Sequence, residues 1–360
     1  MQVRDDLIDS QELLRDDDKE RREIMAVQLD EAKAFLARGT VSHARLAFIL
    51  LDNAAEVIMR RNVEVRLMLN PVMERLLERW KEILKQHPDN AEAQRQHDET
   101  ARKVVPRSMR KKLAHLFDAK VDFIQRQGDL QETEARVLKK LHWYRNELYH
   151  RDHIRPETVR SACLLYFDIA CTLFERLSQD VISTTASTHL EVPQTLKKFN
   201  ADEAATGYPT EGQITATLRA DLGIDEVGLK EILAAHLASR LDALDEAISR
   251  VEKVLFAAGV ELMPSGPWRR ATIHLAQRQD EAFPDSIEEL LATPVQYSEA
   301  DLAGWRQKVA DLREAGDRLE LFAAFADVED AFEPFEEQMT DLDVRVEHEV
   351  ERELDLQRGK

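Results

Sequence analysis

The segment Leu138-Lys139-Lys140-Leu141-His142-Trp143-Tyr144-Arg145-Asn146-Glu147-Leu148-Tyr149-His150-Arg151-Asp152-His153 gathers side chains that bind anions and move protons. Written as a helix, Leu138, Leu141, Arg145 and Leu148 form one stripe at spacings of three, four and three. Arg145 therefore stands where an apolar residue is expected. A guanidinium in an apolar seam is costly unless it is paired or reaches an anion. A second stripe, His142, Asn146, His150 and His153, runs beside the first at four, four and three. Histidine titrates near neutrality and can act as acid or base, while arginine offers phosphate oxygens a planar, permanently charged fork. Those are tools for phosphoryl transfer. On an ideal helix Arg145 and His150 lie roughly 140° apart, so a second protomer or a bend near His150 is needed to close both on one phosphorus. The bland alternative is a salt-bridged arginine and a histidine favoured at a helix C-terminus. A zinc site from His142, His150 and His153 has only Asp152 as a nearby complement, so no metal or other cofactor is expected.

The surrounding elements read as helices. Residues 3–37 form an acidic, partly amphipathic helix, and Gly39-Thr40 breaks it. Thr40 caps a helix to about Arg61 in which Leu46, Ile49, Leu50, Ala54, Val57 and Ile58 recur at helical spacing. Asp52 and Asn53 interrupt that apolar face. Pro71 is expected to open a separate helix ending at His87-Pro88-Asp89-Asn90, and residues Ser108–Gln127 to form one basic helix. Thr133–His150 carries the two stripes, Arg151–Arg155 is a loop, and Pro156 starts a helix to Leu177 that is apolar almost all round. Periodicity fails from Ser183 to Gly212. Beyond it, Leu237, Leu241, Leu244, Ile248, Val251 and Leu255 make a coiled-coil-like seam, and Ser298 with Asp301 resembles a capping box opening a helix to about Ala326.

Arg145-Asn146, three residues, then His150, set between an early long helix and a later buried one, resembles the HEPN family. The resemblance covers roughly residues 40–180, with 62–107 as an inserted segment. It implies a four-helix-bundle endoribonuclease, metal-independent, with an active site built where two protomers meet and a common role as a toxin or in anti-phage defence. Carried onto this chain, Arg145 and His150 are catalytic and Asn146 assists. Arg110, Lys111, Lys112, His142, Tyr149 and His153 would then contact RNA, tRNA included. Attack by the ribose 2′-hydroxyl on the adjacent phosphorus would leave a 2′,3′-cyclic phosphate and would fail on DNA. A homodimer is implied, and an antitoxin or regulatory protein is a further partner. The reading from a different class is a non-catalytic HEPN-like module that binds a nucleotide or protein.

Composition sets the outer bounds. The 360 residues include 43% hydrophobic, 6% aromatic and only 11 glycines and 11 prolines, which favours an all-α fold over sandwiches and barrels. The net charge of −19 is uneven: residues 1–186 hold 32 basic and 32 acidic residues, while 187–360 hold 18 and 37. Residues 101–161 carry 15 basic against 8 acidic residues, so a polyanion is attracted there despite the overall sign. No apolar run is long enough for a membrane span, no signal-peptide pattern opens the chain, and a cytoplasmic location without membrane contact is expected. The expected division is an N-terminal acidic helix (1–39), the motif-bearing bundle (40–182), a linker (183–212) and an acidic helical domain (213–360) that senses, dimerises or restrains.

Overall fold

In a computed structural model, residues 2–148, 156–178, 192–200, 208–223, 226–259, 267–278 and 287–357 are described. The chain is 87% helical with no strands among these residues, an all-α protein. It divides into two compact units, 1–225 and 226–360.

The first unit is organised on α2 (Val41–Gln86), against which α1 (Gln2–Ala37), α3 (Ala91–Lys103), α4 (Arg107–His115), α5 (Phe117–Gln127), α6 (Glu132–Asn146) and α7 (Pro156–Leu177) pack. Thr40 caps α2 as expected, its side chain accepting from the His43 N–H at 3.3 Å. Leu29, Leu36, Phe48, Leu51, Tyr166, Phe167 and Phe174 are fully buried between α1, α2 and α7. Phe48 meets Tyr166 edge to face at 5.3 Å, a favoured aromatic arrangement.

Several boundaries differ from the sequence expectation. α2 does not stop near Arg61 but runs on through Pro71. Proline removes one backbone donor without forbidding the helix, and tertiary contacts secure this half. Buried Asn70 accepts the Val105 N–H at 2.6 Å and donates to Glu74 at 2.8 Å, tying the helix to the α3–α4 connection. The expected basic helix 108–127 is two helices that turn at Leu116, whose side chain is exposed. The turn lets both Leu113 and Phe117 reach the interior.

The N-terminal helix is not a separate region. α1 lies along α2 and α7, burying Met25, Ala26, Leu29, Ala32 and Leu36. Part of the expected linker is also structured: α8 (Gln194–Lys197) sits on α1, with Leu196 and Phe199 buried, Thr195 bonded to Glu23 and Lys198 to Asp30. α9 (Glu211–Leu222) packs on α7 and α1, where Arg219 bonds Asp168 at 2.9 Å and also Glu175. These contacts carry the first unit to residue 225 rather than 182.

The second unit pairs α10 (Glu226–Gly259) with α14 (Arg318–Gln357), joined by α11 (Trp268–Ala276), α12 (Ile287–Ala292) and α13 (Glu299–Asp311). Leu237, Leu241, Leu244, Ile248 and Val251 of the expected seam are buried, with Phe322, Phe325, Phe332 and Phe335 of α14. The Ser298–Asp301 capping box forms, but its helix ends at Asp311. A 3-10 turn and Asp317, which accepts the N–H groups of Leu319 and Glu320, then restart the chain as α14.

Candidate functional site

Arg145 belongs to the last turn of α6 and solves its burial problem on α2. Its Nε lies 3.2 Å from Oδ2 of Asp52, whose side chain is 2% exposed; the arginine side chain keeps 27%. Asp52 also binds His142 Nδ1 at 2.7 Å and accepts the Tyr166 hydroxyl at 2.7 Å. One carboxylate thus joins α2, α6 and α7. A buried carboxylate needs such partners, because desolvation alone would force it to neutralise. Burial, and then the Asp52 carboxylate, push the Tyr166 phenol well above its ordinary pKa, so it remains a donor.

The cluster extends one helical turn along α2. Glu56 pairs at 3.0 Å with Lys120 of α5, an ammonium whose side chain is only 1% exposed. Phe117, at the start of α5, stacks flat on the His142 imidazole with centroids 3.7 Å apart. The chain turn at Leu116 therefore aims both Phe117 and Lys120 at the Asp52–Glu56 face. Beyond Asn146, residues 147–148 form a π-helical turn, and Arg45 of α2 donates to the Leu148 carbonyl at 2.7 Å.

Arg145 and His142 are brought together by Asp52. Asn146 accepts from Arg145 Nη1 at 3.1 Å, so its amide oxygen serves the guanidinium. His142, expected on an RNA-facing stripe, is turned inward: its Nδ1 is engaged and Phe117 covers a ring face. Arg110 bridges to Glu74 at 2.9 Å, while Lys111 and Lys112 are exposed on α4. Tyr149, His150 and His153 lie outside the described residues. Asp52, Glu56, Lys120 and Tyr166 join the cluster only through the packing of α2, α5, α6 and α7. The one visible sign was Asp52 itself, a carboxylate in the middle of an apolar helix face.

Among the described residues no group of three or more His, Cys, Asp and Glu is arranged to hold a metal ion. No helix there is long and apolar enough to cross a membrane. Cys163 and Cys171 are free and buried, and Cys163 donates to the Ala44 carbonyl. Chemically, the site offers an arginine ion-paired with a buried carboxylate at the end of a helix. No protein family, curated protein or solved structure matches the chain.

Proposed function

We propose that this chain is a metal-independent endoribonuclease of the HEPN type, acting as a homodimer in toxin or anti-phage defence. The observation that supports it is the Asp52–Arg145 pair. A guanidinium ion-paired with a buried carboxylate loses less freedom when it meets a phosphate, and it offers charge where a phosphorane develops. In this reading Arg145 stabilises the pentacoordinate phosphorus and Asn146 steadies the guanidinium. His150 exchanges the proton of the 2′-hydroxyl or the 5′-leaving oxygen. The 2′-oxygen forms a bond to phosphorus, the P–O5′ bond breaks, and a 2′,3′-cyclic phosphate and a 5′-hydroxyl result. The basic stretch from Arg110 to Lys112 would draw in RNA electrostatically.

The inward engagement of His142 and Arg145 supports a second reading, a helical module in which the cluster is structural and the protein binds a nucleotide or protein partner. Incubating purified protein with total RNA and tRNA in EDTA, followed by end-group analysis, separates the two. Cutting that ends in cyclic phosphate and disappears in Arg145→Ala and His150→Ala is the expected result. Equal cutting by wild type and both variants would overturn the proposal, as would no cutting by the dimer at any protein or salt concentration.

A further inference from the structure

In the second unit, α11, the end of α12 and the start of α13 line a cavity of about 490 Å3. Arg270, Ile273 and His274 stand three and four residues apart on α11, which puts them on one face of that helix. That face lines the cavity. Opposite it are half-buried Leu291 and Val295 with exposed Pro294, and Glu299 of the first turn of α13. One side chain fixes the loop between α12 and α13. Gln277 accepts the N–H groups of Gln296 and Tyr297, each at 2.8 Å, and donates to the Tyr297 carbonyl at 2.8 Å. A wall held in this way is set before any ligand arrives.

His274 is only 5% exposed, and its Nδ1 lies 3.1 Å from the Leu290 carbonyl. A carbonyl only accepts, so Nδ1 holds the proton and Nε2 of the neutral ring is left as an acceptor. Nε2 has no partner among the described residues. An acceptor set among Ile273, Leu291 and Val295 is costly unless a donor reaches it. Arg270 and Glu299 are exposed, and among the described residues neither makes an ion pair or hydrogen bond, with the other or elsewhere. The cavity thus presents one cation, one anion and one acceptor. A phosphate or a fatty acid would set its charge against Glu299, and a simple amine would leave Arg270 idle. The start of α13 is already supplied with a carboxylate, since Asp301 accepts from the Ser298 N–H and hydroxyl. A zwitterion with an apolar body answers all three groups and the open apolar wall, and the volume is that of a small-ligand site.

We infer that this cavity binds a free α-amino acid with a large apolar side chain. Its carboxylate meets Arg270, its ammonium donates to Glu299 and His274 Nε2, and its side chain lies against Leu291, Pro294 and Val295. All of these residues belong to the unit 226–360, so the site stands whether or not Arg145 cuts RNA.

Titration calorimetry on the full chain tests it with phenylalanine and leucine, beside phenylpropionate, phenethylamine and glycine. Saturable one-to-one binding of phenylalanine or leucine is expected. Phenylpropionate lacks the ammonium and phenethylamine the carboxylate, so each should bind about tenfold more weakly or worse, the scale of losing one partner of a charge pair. Glycine, with nothing for the apolar wall, should be silent. Arg270→Ala and Glu299→Gln, both at exposed positions, should each weaken phenylalanine about tenfold or more. Glu299→Gln should bind phenylpropionate no worse than wild type does, because the repelling carboxylate is gone. Circular dichroism checks that both variants are folded. No saturable binding of phenylalanine or leucine would overturn the inference. So would phenylpropionate or phenethylamine binding as tightly as phenylalanine, or unchanged binding by both variants.

Discussion

Asp52 on α2 and Arg145 on α6 meet at 3.2 Å with the carboxylate almost fully buried. The pair fixes the end of α6 against α2, and the same carboxylate holds His142 and Tyr166. Its loss is felt in three helices at once.

Asp52→Asn keeps the size of the side chain but removes the buried charge that pairs with Arg145. Removing one partner of a buried pair costs several kcal/mol; about 3 kcal/mol is expected here, since Arg145 remains partly exposed. Urea denaturation measures it. A loss below about 0.5 kcal/mol, the scale of an ordinary surface change, would show that the carboxylate does not hold the helices together.

Arg145→Lys retains the charge and loses the fork. Under the ribonuclease proposal RNA cleavage falls by about 100-fold or more, the scale of removing one preorganised transition-state donor, while the melting transition stays cooperative. Cleavage within about threefold of wild type would mean that charge alone suffices and that the anchored geometry is idle.

Lys120 is buried and Glu56 is its partner, itself 41% exposed. Glu56→Ala strands the ammonium and should destabilise by about 2 kcal/mol, whereas Lys120→Met, of similar shape, should be near neutral. The double variant Glu56→Ala/Lys120→Met should then recover most of the single-variant loss. Additive losses in chemical denaturation would contradict this coupling.

Burial pushes the Cys171 thiol up from an ordinary value of 9.0 to about 12, and Cys163 well above 9.0. A raised folded-state value means that the folded chain keeps protons the unfolded chain releases. Stability from these groups is complete below pH 9 and is lost as pH rises from about 9 towards 12. Native protein at pH 8 should resist a thiol reagent until it is unfolded. Fast labelling of either thiol in native protein would show that the α7 interior is open.

Pro71 sits inside α2 with an exposed ring. Pro71→Ala restores a backbone donor and should raise stability by about 1–3 kcal/mol, within the ordinary cost of an interior proline. A fall in the melting temperature would indicate that the proline shapes the packing of α3 and α4.

Local signals in the sequence carried much of the helical framework. The cap at Thr40, the start at Pro156, the left-handed Gly128 with φ 89° and the Ser298 box all depend on neighbours within a few residues, so they are readable from order alone. The awkward place of Arg145 in an apolar stripe was equally legible, because helical spacing states it without coordinates. Where signals compete, order was not enough. Whether Pro71 ends α2, whether Leu116 breaks a basic helix and where α13 gives way to α14 are decided by what packs beside them. The answer to Arg145 also lay beyond reach: Asp52 is 93 residues away and Tyr166 a further 21 beyond Arg145. Only the packing of α2, α6 and α7 brings them to hydrogen-bonding distance, because burial energy, not sequence proximity, chooses which helix faces meet.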